Sequence, residues 1–384
     1  MPDGSSGVGP VLEKFDGVSR IAVLRGGGLG DVMFALPAVA ALKAAYPGAT
    51  VTMLGTPLHA ALAGEVGTPM DEVCVLPFAE GVRPPGPGVA EDPEALDRFF
   101  ADMQSRRFDL AVQMHGGGRY SNPFLHKLGA RHTVGARTAD AVPLDRSLPY
   151  LYYQHEVLRA LETAGLAGAV PAGLECRLHP LPRFTAEVSG ILGSDPSEGG
   201  PVVVIHPGAS DPRRRWSAES FGELAAKAAD DGCRVLVVGG AEDVDLAANV
   251  VSQARHQTAP GRAAMVESLA GRLGLGQLAA LLAASDVMVA NDSGPRHLAQ
   301  FLGTPTVGIY WAGNVINAGP LGRALHRIHI SWQTTCGVCG SDLSQVGWTA
   351  PRCPHDESVV GSVAVKDVYA DVAELVASTH VHQT

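Results

Sequence analysis

Short apolar runs alternate along this chain with longer stretches in which apolar positions recur at helical spacing. The short runs, bounded by glycine, proline or polar residues, predict buried strands, and the periodic stretches predict helices. In the first half, strands are expected at Arg20–Leu24, Thr50–Leu54, Glu72–Leu76 and Asp109–Met114. Helices are expected from the glycines after Leu24 to about Tyr46, and at Leu58–Ala63, Pro93–Arg107, Asn122–Leu128 and Tyr152–Ala164. The alternation restarts with strand Val202–His206, helix Ala218–Asp230, strand Arg234–Val238 and helix Asp243–Arg255. It continues with helix Leu275–Ala284, strand Asp286–Ala290, helix Gly294–Leu302, strand Thr306–Tyr310 and a last helix at Val365–Ser378. Such alternation implies an α/β architecture, with parallel strands and helices on both faces. The pattern is that of two Rossmann-like halves in series, without a sequence repeat between them. Ligands of such sheets sit at the carboxyl ends of the strands, so two facing halves would share a central cleft.

A polar stretch, "GSDPSEGG" at Gly193–Gly200, is the natural linker between the halves. The expected organisation is a disordered tail over 1–17, a first domain over 18–192, a second over 201–364, and a C-terminal helix and tail over 365–384. The Gly/Ser/Pro-rich start lacks the cationic and apolar regions of a signal peptide. A chain of 384 residues exceeds one typical core, and 46% hydrophobic content suffices for two. With 29 basic against 39 acidic residues the net charge is −10, the wrong sign for a nucleic-acid or anionic-lipid partner in bulk. No uninterrupted apolar stretch reaches the ~18 residues of a spanning helix. A cytoplasmic protein is expected, with peripheral membrane contact confined to a small patch such as that around Met33–Phe34. Lysine is scarce beside arginine, alanine and glycine, a bias of bacterial genomic base composition more than of function. Six cysteines in a chain of this length do not make a disulfide scaffold.

"RGGGLGDVMFALP" at Arg25–Pro37 lies where a dinucleotide fingerprint would, after the first strand and before a helix. The glycine spacing does not fit one, and the second strand ends without the acidic residue that would hold a ribose. Asp31 in this turn reads either as an N-cap or as a carboxylate general base. The clustered glycines suggest that something approaches the backbone closely.

The second half carries more chemistry. "HPGASDPRRRW" follows a strand, and Arg213–Arg215 are the densest positive charge in an acidic chain. Arginine forks at a strand's carboxyl end suit a phosphorylated ligand. The alternative is a solvated basic loop. "NDSGPRHLAQFLGTP" ends a strand and opens a helix at once, offering unpaired N–H groups and a positive dipole end to a diphosphate. His297, one turn in, would point back to the same anion, unless Asp292 or Ser293 simply caps the helix. "VLVVGGAED" is a third strand-to-helix glycine turn, with Glu242 or Asp243 placed to meet a ribose hydroxyl.

Four elements occur in order: "GLGDVMFALP", "FDLAVQMHGGGR", "HPGASDPRRRW" and "NDSGPRHLAQFLGTP". Together they resemble glycosyltransferase family nine, the heptosyltransferase-like enzymes of the GT-B fold, over roughly Arg20–Leu375. The resemblance implies inverting, metal-independent sugar transfer from a nucleotide donor, typically ADP-heptose. It implies Asp31 as general base, and donor binding by Arg214, Asp292, Ser293, Gly294 and His297; the loops that carry Ser210, Arg215, Gly239, Gly240 and Glu242 offer these as further donor-binding candidates. The acceptor side would draw on Gly28, Gly30, His115 and Arg119. The acceptor itself would be a glycan or a small natural product. A GT-B-fold nucleotide-sugar epimerase and a binding-only relative are the alternatives. "HGGG" at His115–Gly118 has no accompanying G-x-S-x-G, which sets a hydrolase aside.

Cys336-x2-Cys339-x13-Cys353-x-His355 has the ligand types of a structural zinc site, although its second pair is cramped. A disulfide or redox pair and inert loop cysteines are the other readings. A metal here would brace the loop before the last helix and take no part in transfer.

Overall fold

The computed structural model describes residues 7–84, 88–192, 200–344 and 352–381. It divides into two compact units, Met1–Cys176 and Arg177–Thr384. Among the described residues there are two six-stranded parallel sheets and twelve α-helices.

The first sheet comprises β1 (Arg20–Leu24), β2 (Thr50–Gly55), β3 (Glu72–Val75), β4 (Leu110–Gln113), β5 (His132–Arg137) and β6 (Arg146–Pro149). Their spatial order is β3-β2-β1-β4-β5-β6. The second comprises β7 (Val202–His206), β8 (Arg234–Val237), β9 (Val266–Ser268), β10 (Val287–Asn291), β11 (Thr306–Trp311) and β12 (His326–Ser331), in the order β9-β8-β7-β10-β11-β12. Both are the doubly wound Rossmann order, which reverses direction beside its first strand. In the first unit the reversal lies between β1 and β4, where Leu24 pairs Gln113. In the second it lies between β7 and β10, where His206 pairs Ala290. The loops leaving these four strands are the ones that carry the sequence motifs.

The central strands are buried on both faces, which is why they appear as unbroken apolar runs. Helix α1 (Leu29–Ala45) is buried along much of its circumference and holds Pro37 in its interior. Such a proline lacks the N–H for one intrahelical bond. The remaining helices of the first unit are α2 (Pro57–Glu65), α3 (Pro93–Ser105), α4 (Ser121–His126) and α5 (Glu156–Gly165). Those of the second are α6 (Pro182–Leu192), α7 (Ala218–Asp230), α8 (Val244–Gln257), α9 (Leu275–Ala283), α10 (Gly294–Leu302), α11 (Ala312–Ala318) and α12 (Val365–Val381). Helix α12 is no separate appendage. It packs on α7, with Val368, Val372 and Leu375 buried.

Three expectations need correction. The tail expected to be disordered is packed over its described part. Leu12 N–H donates to Gly165 O at 2.9 Å, Phe15 stacks on His132 at 4.2 Å, and the Arg146 guanidinium sits 3.8 Å from the Phe15 ring. The boundary between units lies at residue 176 instead of 192, because 177–192 packs with the second unit. There Leu178 N–H donates to Phe301 O at 2.9 Å, and the Phe184 ring covers Gly276 of α9. The expected linker lies, over 193–199, outside the described residues. Finally, Met33 and Phe34 are buried and offer no membrane patch.

Candidate functional site

In the first unit, Gly28 is the N-cap of α1 and Asp31 the third helical residue, so Asp31 is not itself the N-cap. Its Oδ2 accepts the Gly28 N–H at 2.8 Å, and its Oδ1 pairs with Arg25 Nη2 at 2.7 Å. The side chain is still 45% exposed, leaving carboxylate lone pairs open to a ligand. Arg25 is buried; it also pairs with Glu156 at 3.2 Å and donates to Met114 O at 2.5 Å. Burial disfavours its charge, but Asp31 and Glu156 outweigh that and hold the guanidinium above its ordinary value. Glu156 is bound in turn by Arg159 at 3.2 Å. Arg25, Glu156 and Arg159, with Phe34, Gln113 and Met114, line a small pocket behind this carboxylate.

Two neutral histidines hold the glycine loop. Gly26 N–H donates to His115 Nδ1 at 3.1 Å, so the ring proton must sit on Nε2, 3.1 Å from Gly81 O. Burial, reinforced by Arg25, lowers the His115 value to about 4. Thr56 N–H donates to His59 Nδ1 at 3.2 Å, leaving Nε2–H for Gly28 O at 3.2 Å. Burial lowers the His59 value as well. The glycines themselves answer to steric need. A Cβ on Gly26 would lie 2.2 Å from Val82 O. Gly27 has φ +94°, and its Cβ would lie 2.4 Å from Asp31 Oδ2. Gly30 lies in the first turn of α1, and Arg119 is exposed beside the Tyr120 ring. Of the expected acceptor residues, His115 is therefore turned to backbone, whereas Gly28 and Arg119 face solvent.

In the second unit, Asp292 lies between the end of β10 and the start of α10. Its Oδ1 accepts from His297 Nε2 at 3.0 Å. Its Oδ2 accepts from Arg214 at 3.0 Å and from Asn314 at 2.7 Å. Arg296 donates to His297 Nδ1 at 2.7 Å, which leaves the His297 proton on Nε2 and aimed at Asp292. Burial opposes ionisation of Asp292, but His297, Arg214 and Asn314 overcome it and hold the carboxyl far below the usual range. Asp292 and His297 are both 3% exposed, so they position other groups and do not themselves face solvent.

What they position is Arg214, whose second amino group donates to the exposed Ser210 at 3.0 Å. Ser293 is the N-cap of α10, and its Oγ lies 3.1 Å from His206 Nδ1. Gly294 opens the helix, and Pro295 follows in the first turn, with no N–H of its own. Arg215 is half-buried and donates Nε–H to Ala209 O at 2.8 Å. Gly239 and Gly240 pass close to acidic side chains: Asp243 is buried and accepts the Gly240 N–H at 3.2 Å, whereas Glu242 is exposed. Of the two acids considered for a ribose hydroxyl, only Glu242 faces solvent. Asn291 pins the arginine loop, accepting from Trp216 N–H at 3.0 Å and donating to Pro207 O at 2.8 Å.

Arg25, Glu156, His59, His206, Asn291 and Asn314 were not singled out from sequence. Arg25 adjoins the glycines, but Glu156 is 131 residues away and carries no local signal.

A third cluster lies near the end of the second unit. The ligand atoms of Cys336, Cys339, Cys353 and His355 all lie within 4.8 Å of one another. All six cysteines are free. Cys336 and Cys353 are buried in the unit's core, and Cys339 is exposed.

Two doubly wound Rossmann units in series are the framework of GT-B-type glycosyltransferases. Residues 97–345 match the family model Glycosyltransferase family 9 (heptosyltransferase), and the chain belongs to that family. It is similar to lipopolysaccharide heptosyltransferase 2 of Salmonella typhimurium, 25% identical over 81% of this chain and 88% of that one. A solved glycosyl transferase family 9 structure from Veillonella parvula superposes with TM-score 0.71 at 17% identity, covering 94% of this chain and 97% of that one. The E. coli ADP-heptose lps heptosyltransferase II superposes with TM-score 0.69 at 18% identity, covering 94% and 99%.

Proposed function

We propose that this glycosyltransferase moves heptose from ADP-heptose to a hydroxyl of a lipopolysaccharide-type acceptor, with inversion and without a metal in the chemical step. The observation that carries the reading is Arg214, fixed by Asp292 and Ser210 beside the open end of α10. A guanidinium has five N–H donors, and those not engaged here are available to phosphate oxygens. The relatives' names supply the sugar, the nucleotide and the acceptor class.

In this reading Asp31 takes the proton of the acceptor hydroxyl as its oxygen bonds to the anomeric carbon. The bond from that carbon to the diphosphate oxygen breaks through an oxocarbenium-like state, as in glycoside hydrolysis. ADP leaves with the bonding pair, and its growing charge is met by Arg214, Arg215 and the N–H groups at Ser293–Gly294. Ser210, Gly239, Gly240 and Glu242 serve the rest of the nucleotide. Asp292 and His297 act through Arg214 as positioning residues. Gly28, Gly30 and Arg119 are assigned to the acceptor, and His115 to the loop that carries Asp31. The reaction is assigned to the cytoplasm.

Calorimetric titration with ADP tests the division of labour. Arg214→Ala should raise the ADP dissociation constant by about tenfold or more, the loss of a charge-assisted contact. Asp31→Asn should leave it unchanged while lowering kcat by about 10²–10⁴, the range for a general base. Loss of ADP binding in Asp31→Asn would move the phosphate site to the glycine loop.

A further inference from the structure

We propose that Cys336, Cys339, Cys353 and His355 bind one thiophilic metal ion, Zn²⁺ or Fe²⁺, and that this ion fixes the loop carrying Arg214. The donor set is three sulfurs and an imidazole, the type that selects such ions. Ligand atoms in a tetrahedral site of this kind stand ~3.5–3.8 Å apart by the usual bond lengths. Cys336 Sγ and His355 Nδ1 are 3.7 Å apart. The first pair is held in a tight hydrogen-bonded turn. Gly340 N–H donates to Cys336 O at 2.9 Å, Cys336 N–H to Ser341 O at 2.9 Å, and Gly340 takes φ +70°.

A second observation is a buried cation with an unmet donor on the arginine loop. Arg213 Nη1 is buried without a hydrogen-bond partner. The rest of that guanidinium is bound by Asp211 at 2.6 Å. Asp211, Asp356 and the Cys353 side chain lie near this guanidinium. A metal-bound thiolate at Cys353 would give this cation an acceptor, as outer-shell donors do around thiolate sites.

The segment holding the second ligand pair is tied to the arginine loop at several points. Val359 N–H donates to Arg213 O at 2.8 Å. Ser358 Oγ donates to Arg215 O at 2.7 Å, and Trp216 Nε1 to Val363 O at 3.0 Å. Arg352 lies 3.6 Å from Asp211. An ion joining Cys353 and His355 to Cys336 and Cys339 thus clamps the segment on which residues 211–216 are hung. The consequence for nucleotide binding rests on the donor-site reading above; the metal site and its grip on the loop do not.

The test uses the full chain, refilled with Zn²⁺ or Fe²⁺ and measured by elemental analysis. Hydrogen exchange by mass spectrometry is followed over 209–216 before and after chelation. About one ion per chain is expected, lost in Cys339→Ser and kept in the control Cys74→Ser. Co²⁺ should give thiolate charge-transfer absorption in wild type and not in Cys339→Ser. Because Cys339 is exposed, this variant should still fold. Chelation should raise exchange at 209–216 by about tenfold, and ADP affinity should fall in step. Absence of a bound ion, or an ion retained in both Cys339→Ser and His355→Ala, overturns the site. A bound ion whose removal leaves exchange at 209–216 unchanged overturns the coupling. If the loaded protein binds no ADP, the donor-site reading fails while exchange still decides this proposal.

Discussion

His115 shows how little of a side chain's job is visible from its identity. A histidine just past the end of a strand invites a ligand, yet both of its ring nitrogens are taken by backbone, and its proton has only one place to sit. A second proton would face the Gly26 N–H, and the folded-state value of about 4 follows from burial and Arg25. The unfolded chain takes up that proton near pH 6.5, before the folded loop does. Stability from this group is therefore complete above about pH 6.5 and declines as pH falls towards about 4. Urea midpoints from pH 8 to 4 should show this fall in wild type and a shallower one in His115→Gln. Parallel profiles would mean that His115 does not titrate with folding. Asp31 and Arg214 could be proposed from the sequence because their motifs are contiguous. Glu156 and Asn314 were not, because what makes them matter is a partner brought close by the fold.

Among the elements, β1, β7, α7 and α10 were plain in the sequence, since strands covered on both faces leave unbroken apolar runs and helices leave a face. β5 was hidden by Gly135, which sits where a Cβ would meet Gln113 at 2.7 Å. The glycine that breaks the apolar pattern is what lets the neighbouring strand carry Gln113. β6 has one leucine in four residues and lies at the sheet edge, where period and burial both fade. The turn into α1 is the element on which the site most depends. Gly27→Ala would place a side chain at φ +94° and push on the Asp31 carboxylate. The left-handed backbone alone costs about 1–2 kcal/mol. The variant should melt lower and lose most of its transferase activity while binding ADP as wild type does. Full activity in a folded Gly27→Ala would detach Asp31 from the chemistry.

At the scale of the molecule, composition and alternation were enough for two Rossmann-like units, but not for where one gives way to the next. A polar Gly/Pro/Ser stretch marks the absence of local structure, whereas a unit boundary is set by packing partners far along the chain. Leu178 and Phe184 precede that stretch and pack with the unit that follows it. This makes residue 177 the natural recombination point for hybrids between members of the family. A second-unit fragment starting at 177 should be soluble and melt cooperatively. One starting at 201 would lose Leu178 and Phe184, each worth about 1.5–3 kcal/mol if fully buried. It should melt markedly lower or aggregate, and equal melting of the two would remove α6 from the unit. A graft made at the visible linker would hand each parent's α6 to the wrong host, so the seam that looks safest in the gene is the one that cuts through a folded interior.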